Sequence, residues 1–182
     1  MSSEENIARI QSGLQWGAIS YEDYDENYPR VFAEVAKAIR SVLPSAQVEH
    51  VGSTAVPGLG GRRVLDIVIP AERARHDEVV TKMLSIGFVK SPLTHIQPML
   101  AGSIQYNGKD YPMLLYILPE DSEIYQGWIV FRAYMKQHPE EVQDYAEVKK
   151  KAIAAGKTDG WSYQRAKTPY LESLVKRIEQ KK

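Results

Sequence analysis

Residues 48–69 constrain the fold more than any other stretch: Val-Glu-His-Val-Gly-Ser-Thr-Ala-Val-Pro-Gly-Leu-Gly-Gly-Arg-Arg-Val-Leu-Asp-Ile-Val-Ile. They read as a short strand over 47–51, a Gly-Ser turn, a glycine-rich loop and a second strand over 64–69. Asp66 lies inside the apolar run of that second strand. A buried carboxylate is costly without a partner, so Asp66 requires a hydrogen-bond donor, a metal or a wet cleft beside it. Gly52 permits a sharp turn and close approach of another group. Ser53 and Thr54 can cap the turn that follows, where backbone N–H groups attract anions. Asp66 could instead be a structural acid, bonded to the 58–61 loop or paired with Arg62 or Arg63.

The rest of the chain alternates helix and strand before turning helical. Pro29 suits the first turn of a helix ending near residue 43, with Val31, Val35, Ala38, Ile39 and Val42 on one face. A second helix is expected over 76–86, with Gly87 as its stop. A third strand begins at Phe88-Val89. Asn107-Gly108 predicts a tight hairpin between 103–106 and 111–118. Pro112 argues that the second of these strands is an edge strand or starts late. Helices are expected over 122–138, 139–155 and 161–181, and a short capped helix over 2–14. The pattern predicts an α+β fold, a small mixed sheet flanked by helices with a C-terminal helical layer. The 182 residues fit one domain over 1–182, with residues 1–20 as an added N-terminal helical segment.

Composition removes several function classes. There is no cysteine, hence no disulfide, thiolate metal site or cysteine nucleophile. Lys+Arg and Asp+Glu are both 23, which gives no strong nucleic-acid signal. No apolar run approaches the roughly 20 residues that cross a bilayer, and the first residues do not read as a signal peptide. These features fit a cytoplasmic protein with no membrane role. No P-loop and no Gly-x-Ser-x-Gly elbow is present.

His50-Val51-Gly52-Ser53-Thr54-Ala55-Val56-Pro57-Gly58-Leu59, with Leu65-Asp66-Ile67, resembles the signature of the GrpB family, also called UPF0157. Three further groups of residues support the resemblance, which covers residues 21–178. They are Tyr24-Asp25 with Tyr28-Pro29 and Phe32; Phe131-Arg132-Ala133-Tyr134 with His138-Pro139-Glu140 and Tyr145-Ala146-Glu147-Val148-Lys149; and Tyr163, Lys167, Thr168 and Pro169. The resemblance implies a nucleotidyltransferase-like fold binding a nucleotide or other phosphorylated small molecule. Gly52, Ser53, Thr54, Arg62 and Lys167 would be its ligand-binding residues. If the protein is an enzyme, nucleotidyl transfer is the implied reaction, with Asp66 catalytic and holding a divalent metal such as magnesium. The alternative is an inactive binding or interaction module on the same fold.

Two departures from the pattern bear on that choice. Nucleotidyltransferases usually carry acids at i and i+2 of one strand, because alternate residues face one side and can share a metal. Position i+2 from Asp66 is Val68, and residues 111–118 lack the histidines that the family often has there. Each remaining candidate has a plain structural reading beside a functional one. Arg62 reads as a solvated charge or a phosphate clamp. His50 reads as a hydrogen-bonded core residue rather than a base. Arg132 anchors the helical layer. Tyr163 and Lys167, four apart on one helix face, either pack together or reach the pocket. Lys149-Lys150-Lys151 reads as a solvated helix face.

Overall fold

The computed structural model describes residues 10, 11, 18–91 and 99–180. Helix α1 (Tyr28–Val42) starts with Pro29 in its first turn, and Val31, Val35, Ala38 and Ile39 are buried along one side. Asp25 accepts the Asn27 backbone N–H at 2.9 Å just before the helix. Helix α2 (His76–Ser85) carries Asp77 and Glu78 in its first turn, where acids complement the helix dipole. It buries Val79 and Met83. Gly87 follows at φ +111°, and its backbone passes too close to the Ile10 carbonyl to leave room for a side chain.

Five strands form one mixed sheet: β1 (Glu49–Val51), β2 (Leu65–Pro70), β3 (Val89–Lys90), β4 (Met99–Tyr106) and β5 (Lys109–Leu118), in the spatial order β1-β2-β5-β4-β3. Only β2 and β5 run parallel, with Asp66 opposite Leu114 and Val68 opposite Tyr116. β1 and β2 are antiparallel, with Val51 opposite Asp66. Asn107 and Gly108 form the β4–β5 turn with φ of 49° and 74°, the pair of positive angles of a type I′ hairpin.

Pro112 is not on an edge strand: β5 lies in the middle of the sheet. Its tolerance is local. Ser103, opposite Pro112, directs its backbone N–H and C=O to Gln11 (2.9 and 2.8 Å), so it asks nothing of the proline. The β2 ladder begins only at Met113, so among the described residues no strand pairs with Pro112 on its other side. The helix expected over 2–14 falls largely outside the described residues. At Ile10 and Gln11 the chain is not helical: Gln11 bridges Ser103 and Ile10 is buried.

Period-2 alternation gives the sheet two different faces. Leu65, Ile67 and Ile69 of β2 and Tyr111, Met113, Leu115 and Ile117 of β5 join α1 and α2 in the largest core cluster. Of the intervening residues, Val68, Tyr116 and Leu118 pack on helix α3 (Glu123–Gln137), Leu114 packs with Val64, Met99 and Ala101, and Asp66 and Tyr116 share a cleft with α3, α4 (Pro139–Ala154) and α5 (Gly160–Gln180). Met135, Val142, Tyr145, Ala146 and Leu174 of these helices pack with Val56 and Leu59 in a second cluster. Arg132 ties α3 to β1, donating to the Glu49 carboxylate at 2.8 Å and the His50 carbonyl at 2.6 Å. Glu141 receives Arg177 at 2.8–2.9 Å and Tyr170 at 2.6 Å, clamping α5 to α4. No described helix is long and apolar enough to cross a membrane.

Candidate functional site

A cleft of about 620 Å³ opens between the sheet and the C-terminal helices. Asp66 and Tyr116 form its sheet side, Gly52, Ser53 and Arg62 come from the β1–β2 connection, and Lys149 and Lys167 reach it from α4 and α5. Gly52 has φ +70°, and any Cβ there would collide with the Asp66 carboxylate. The backbone therefore packs directly on the acid, a close approach that only glycine allows. Ser53 begins a single 3-10 turn over Ser53–Ala55, closed by Val56 N–H donating to the Ser53 carbonyl at 3.1 Å.

Three cations, Arg62, Lys149 and Lys167, act on Asp66, while the other two carboxylates of the cleft lining belong to Glu123 and Glu179. Arg62 Nη2 stands 4.0 Å from Asp66 Oδ1. Lys167 Nζ lies 4.5 Å above the Tyr163 ring, and Lys149 Nζ 4.7 Å above the Tyr145 ring. Lys149 also donates to the Gly60 carbonyl, holding the glycine-rich loop at the edge of the cleft. That loop is pinned from its other side by a two-way backbone pair between Gly61 and Glu22, 2.8 Å each way. Tyr116 Oη donates to Asp66 Oδ1 over a long 3.4 Å.

Burial shapes the ionisation of every group here. Desolvation pushes the Asp66 carboxyl above its usual range, although Arg62, Lys167 and the Tyr116 hydroxyl pull the other way. Desolvation, with repulsion from Lys167, lowers Lys149 to about 7. Desolvation and the Arg62 charge lower Lys167 to about 8. Tyr116 is pushed up, first by burial and then by Asp66 beside it.

The structure brings Gly52, Ser53, Arg62, Asp66 and Lys167 together and leaves Thr54 out. The Thr54 side chain is buried beneath the turn, 2.9 Å from His50 Nε2, with the Val64 carbonyl at 3.4 Å. His50 stacks on Phe32 at 4.9 Å and is pushed down to about 3 by burial, so it is a neutral core residue. Arg63 also departs from the acid, pairing with Glu22 at 3.0 Å and the Asp110 carbonyl at 2.8 Å.

Lys149 corrects the reading of 149–151 as a solvated face. Its neighbour Lys150 pairs with Glu147 at the surface, but Lys149 is only 2% exposed. The signal was the helical stripe Val142, Tyr145, Ala146, Lys149 and Ala152, whose other members are all buried. Val68, where a second acid would stand, is fully buried against Val51, Leu118 and Tyr125. Among the described residues no group of three or more His, Asp or Glu could hold a metal ion. One carboxylate crowded by three cations does not fit a divalent ion, which takes several anionic or neutral oxygen donors.

Comparison with known proteins bears on the family and the fold. A family model described as GrpB protein matches residues 18–177. The chain is 28% identical over 163 residues to UPF0157 protein BH1888 of Halalkalibacterium halodurans, covering 88% of this chain and 82% of that one. It is also 28% identical over 160 residues to UPF0157 protein PA4798 of Pseudomonas aeruginosa, covering 84% of this chain and 64% of the relative. The crystal structure of conserved protein GrpB from Enterococcus faecalis superposes with a TM-score of 0.72 at 20% identity, over 89% of this chain and 98% of that one. A structure of the GLD-2/RNP-8 complex shares the fold at a TM-score of 0.55 and 12% identity, over 78% of this chain and 57% of the other.

Proposed function

For a chain that belongs to the GrpB family and has its nucleotidyltransferase-like fold, we propose that the cleft binds a phosphorylated small molecule, of which a nucleotide is one form, without transferring its nucleotidyl group. The observation that carries this reading is the convergence of Arg62, Lys149 and Lys167 on one carboxylate in a partly enclosed cleft. The three cations are held around Asp66 in a low-dielectric setting, where in their protonated forms they outnumber that carboxylate and favour an anion. Arg62 presents a planar fork suited to phosphate oxygens. Ser53 adds a hydroxyl at the same wall of the cleft.

The same residues argue against metal-dependent transfer. Two-metal chemistry needs acids that share the ions between them. Val68 occupies the second position and is committed to apolar packing, so the strand offers one acid. Glu49, the nearest acid on the paired strand, already holds Arg132. Asp66 acts in this reading as a counter-charge that keeps three cations in place when no ligand is bound.

The test is Asp66→Asn, with binding of inorganic pyrophosphate and of nucleoside mono- and triphosphates measured by calorimetry in the absence and presence of magnesium. Removing the carboxylate should tighten metal-free anions several-fold, because it removes the negative charge on which Arg62, Lys149 and Lys167 act. Weaker binding confined to the magnesium-containing series, with pyrophosphate release that Asp66→Asn abolishes, would reverse the reading in favour of transfer. Thermal shift gives a second readout: a ligand at 100 times its Kd stabilises the fold by about 2.7 kcal/mol. The pH dependence follows from the lysines. Lys149 and Lys167 lose their protons around pH 7 and 8 in the empty cleft, so anion affinity should fall between pH 6.5 and 9.

A further inference from the structure

The cleft has two chemically distinct ends. Its cations cluster around Asp66, whereas the lining along the rest of α3 and α5 is mainly apolar, with Glu123, Gln126 and Glu179 as exposed polar members. Among the described residues six large hydrophobic side chains are notably exposed, and three of them, Ile124, Val130 and Val175, line this cleft. Single exposed hydrophobic residues are ordinary; their concentration at one opening marks a place that something apolar covers. Along α5 the cleft-lining side chains change from Tyr163, Gln164 and Lys167 to Leu171, Leu174, Val175 and Ile178, with Glu179 just beyond. From Lys167 to Ile178 the helix advances about 16 Å, of which the apolar stretch from Leu171 to Ile178 makes up about 10 Å.

The opposite wall contains a gap. In α3 the cleft-facing stripe is Ile124, Gly127, Trp128 and Phe131, at the i, i+3, i+4, i+7 spacing of one helix face. Gly127 is disfavoured in a helix interior, and its backbone angles do not require glycine. A Cβ added there meets nothing within 4 Å, so the space in front of it is unfilled.

Resting on the binding reading above, we infer that the ligand is an amphiphile: a phosphate ester whose head sits among Arg62, Lys149 and Lys167 and whose linear apolar tail runs between α3 and α5 past Gly127. The charge at one end and the apolar wall at the other belong to one continuous cleft, which selects a molecule with the same division. A ligand that ended at its phosphates would leave the wall wet.

The test is a homologous series, ethyl to octyl phosphate, titrated against the full chain by calorimetry below the micellar concentration. Affinity should rise about two- to fourfold per methylene while the tail stays inside the cleft. Gly127→Leu fills the gap with a residue that favours helix, and its melting curve reports that it folds. It should lower the octyl-to-ethyl affinity ratio about tenfold. Val175→Asp, at an exposed position, should lower the same ratio. A flat series beside measurable ethyl phosphate binding overturns this inference and leaves the binding reading standing. So does octyltrimethylammonium binding as tightly as octyl phosphate. Failure of inorganic phosphate, pyrophosphate and the whole series to bind overturns both. Vesicles of phosphatidylcholine with phosphatidic acid separate two sources of the same chemistry. Co-sedimentation that Val175→Asp abolishes assigns the tail to a bilayer lipid, and its absence beside tight octyl phosphate binding assigns it to a free ester.

Discussion

The two faces of the sheet are built from the same strands yet do opposite things. On the face toward α1 and α2, Leu65, Ile67, Ile69, Met113, Leu115 and Ile117 are closed over. On the other face Asp66 and Tyr116 open onto a cleft, while Val68, Pro70, Leu114 and Leu118 are buried. Residues one step apart on β2 therefore differ in their role: Ile67 holds the fold, and Asp66 shapes a charged cavity. A strand's two-residue period lets stability and site chemistry be varied separately.

The comparison can be broken most directly at Ile67. Ile67→Ala leaves a void in a closed core and should cost about 2–5 kcal/mol in urea unfolding. A loss below about 1 kcal/mol there would mean that the closed face is not the stabilising one.

A smaller effect comes from Lys149 on the open side. Its folded value of about 7 lies well below the roughly 10.4 of a free lysine. Between those values the unfolded chain holds more protons, so stability should rise with pH from 7 to 9, by roughly 1–2 kcal/mol through this group. Lys149→Met should flatten that rise, which unfolding at pH 7 and pH 9 would reveal. An unchanged slope would show that the lysine is solvated in the folded protein.

The smallest change is expected at Asp66. Its raised value means that burial already outweighs the attraction of the surrounding cations, so Asp66→Asn should alter stability by less than about 1 kcal/mol. A loss as large as that of Ile67→Ala would make Asp66 a structural acid and dissolve the contrast between the faces.

Much of the fold was legible because it rests on local rules. The apolar stripes of α1 and α2, the Asn107-Gly108 hairpin and the three C-terminal helices fall close to where pattern and punctuation put them. Gly52, Ser53 and Asp66 were legible as neighbours because a short connection joins β1 and β2. What sequence hid depends on distant partners. Pro112 looked like an edge signal, and only the offset between the β2 and β4 ladders shows why a central strand accepts it. Thr54 looked like a second ligand hydroxyl, but the 3-10 turn rotates it onto His50. Lys149 hid in a triple-lysine run, since its burial is set by the 58–61 loop some ninety residues earlier.

Among the described residues the larger core cluster contains none beyond Ile117, whereas the cleft needs side chains as late as Lys167 and Ile178. In vectorial synthesis every member of that core has been made before the first turn of α3. A growing chain can thus bury its main hydrophobic mass while the open face of the sheet still waits for α4 and α5. The cation cluster around Asp66 is completed last, so the carboxylate stays hydrated until the final helices dock. Translation would deliver a stable scaffold first and a ligand-competent protein only once α5 has been made.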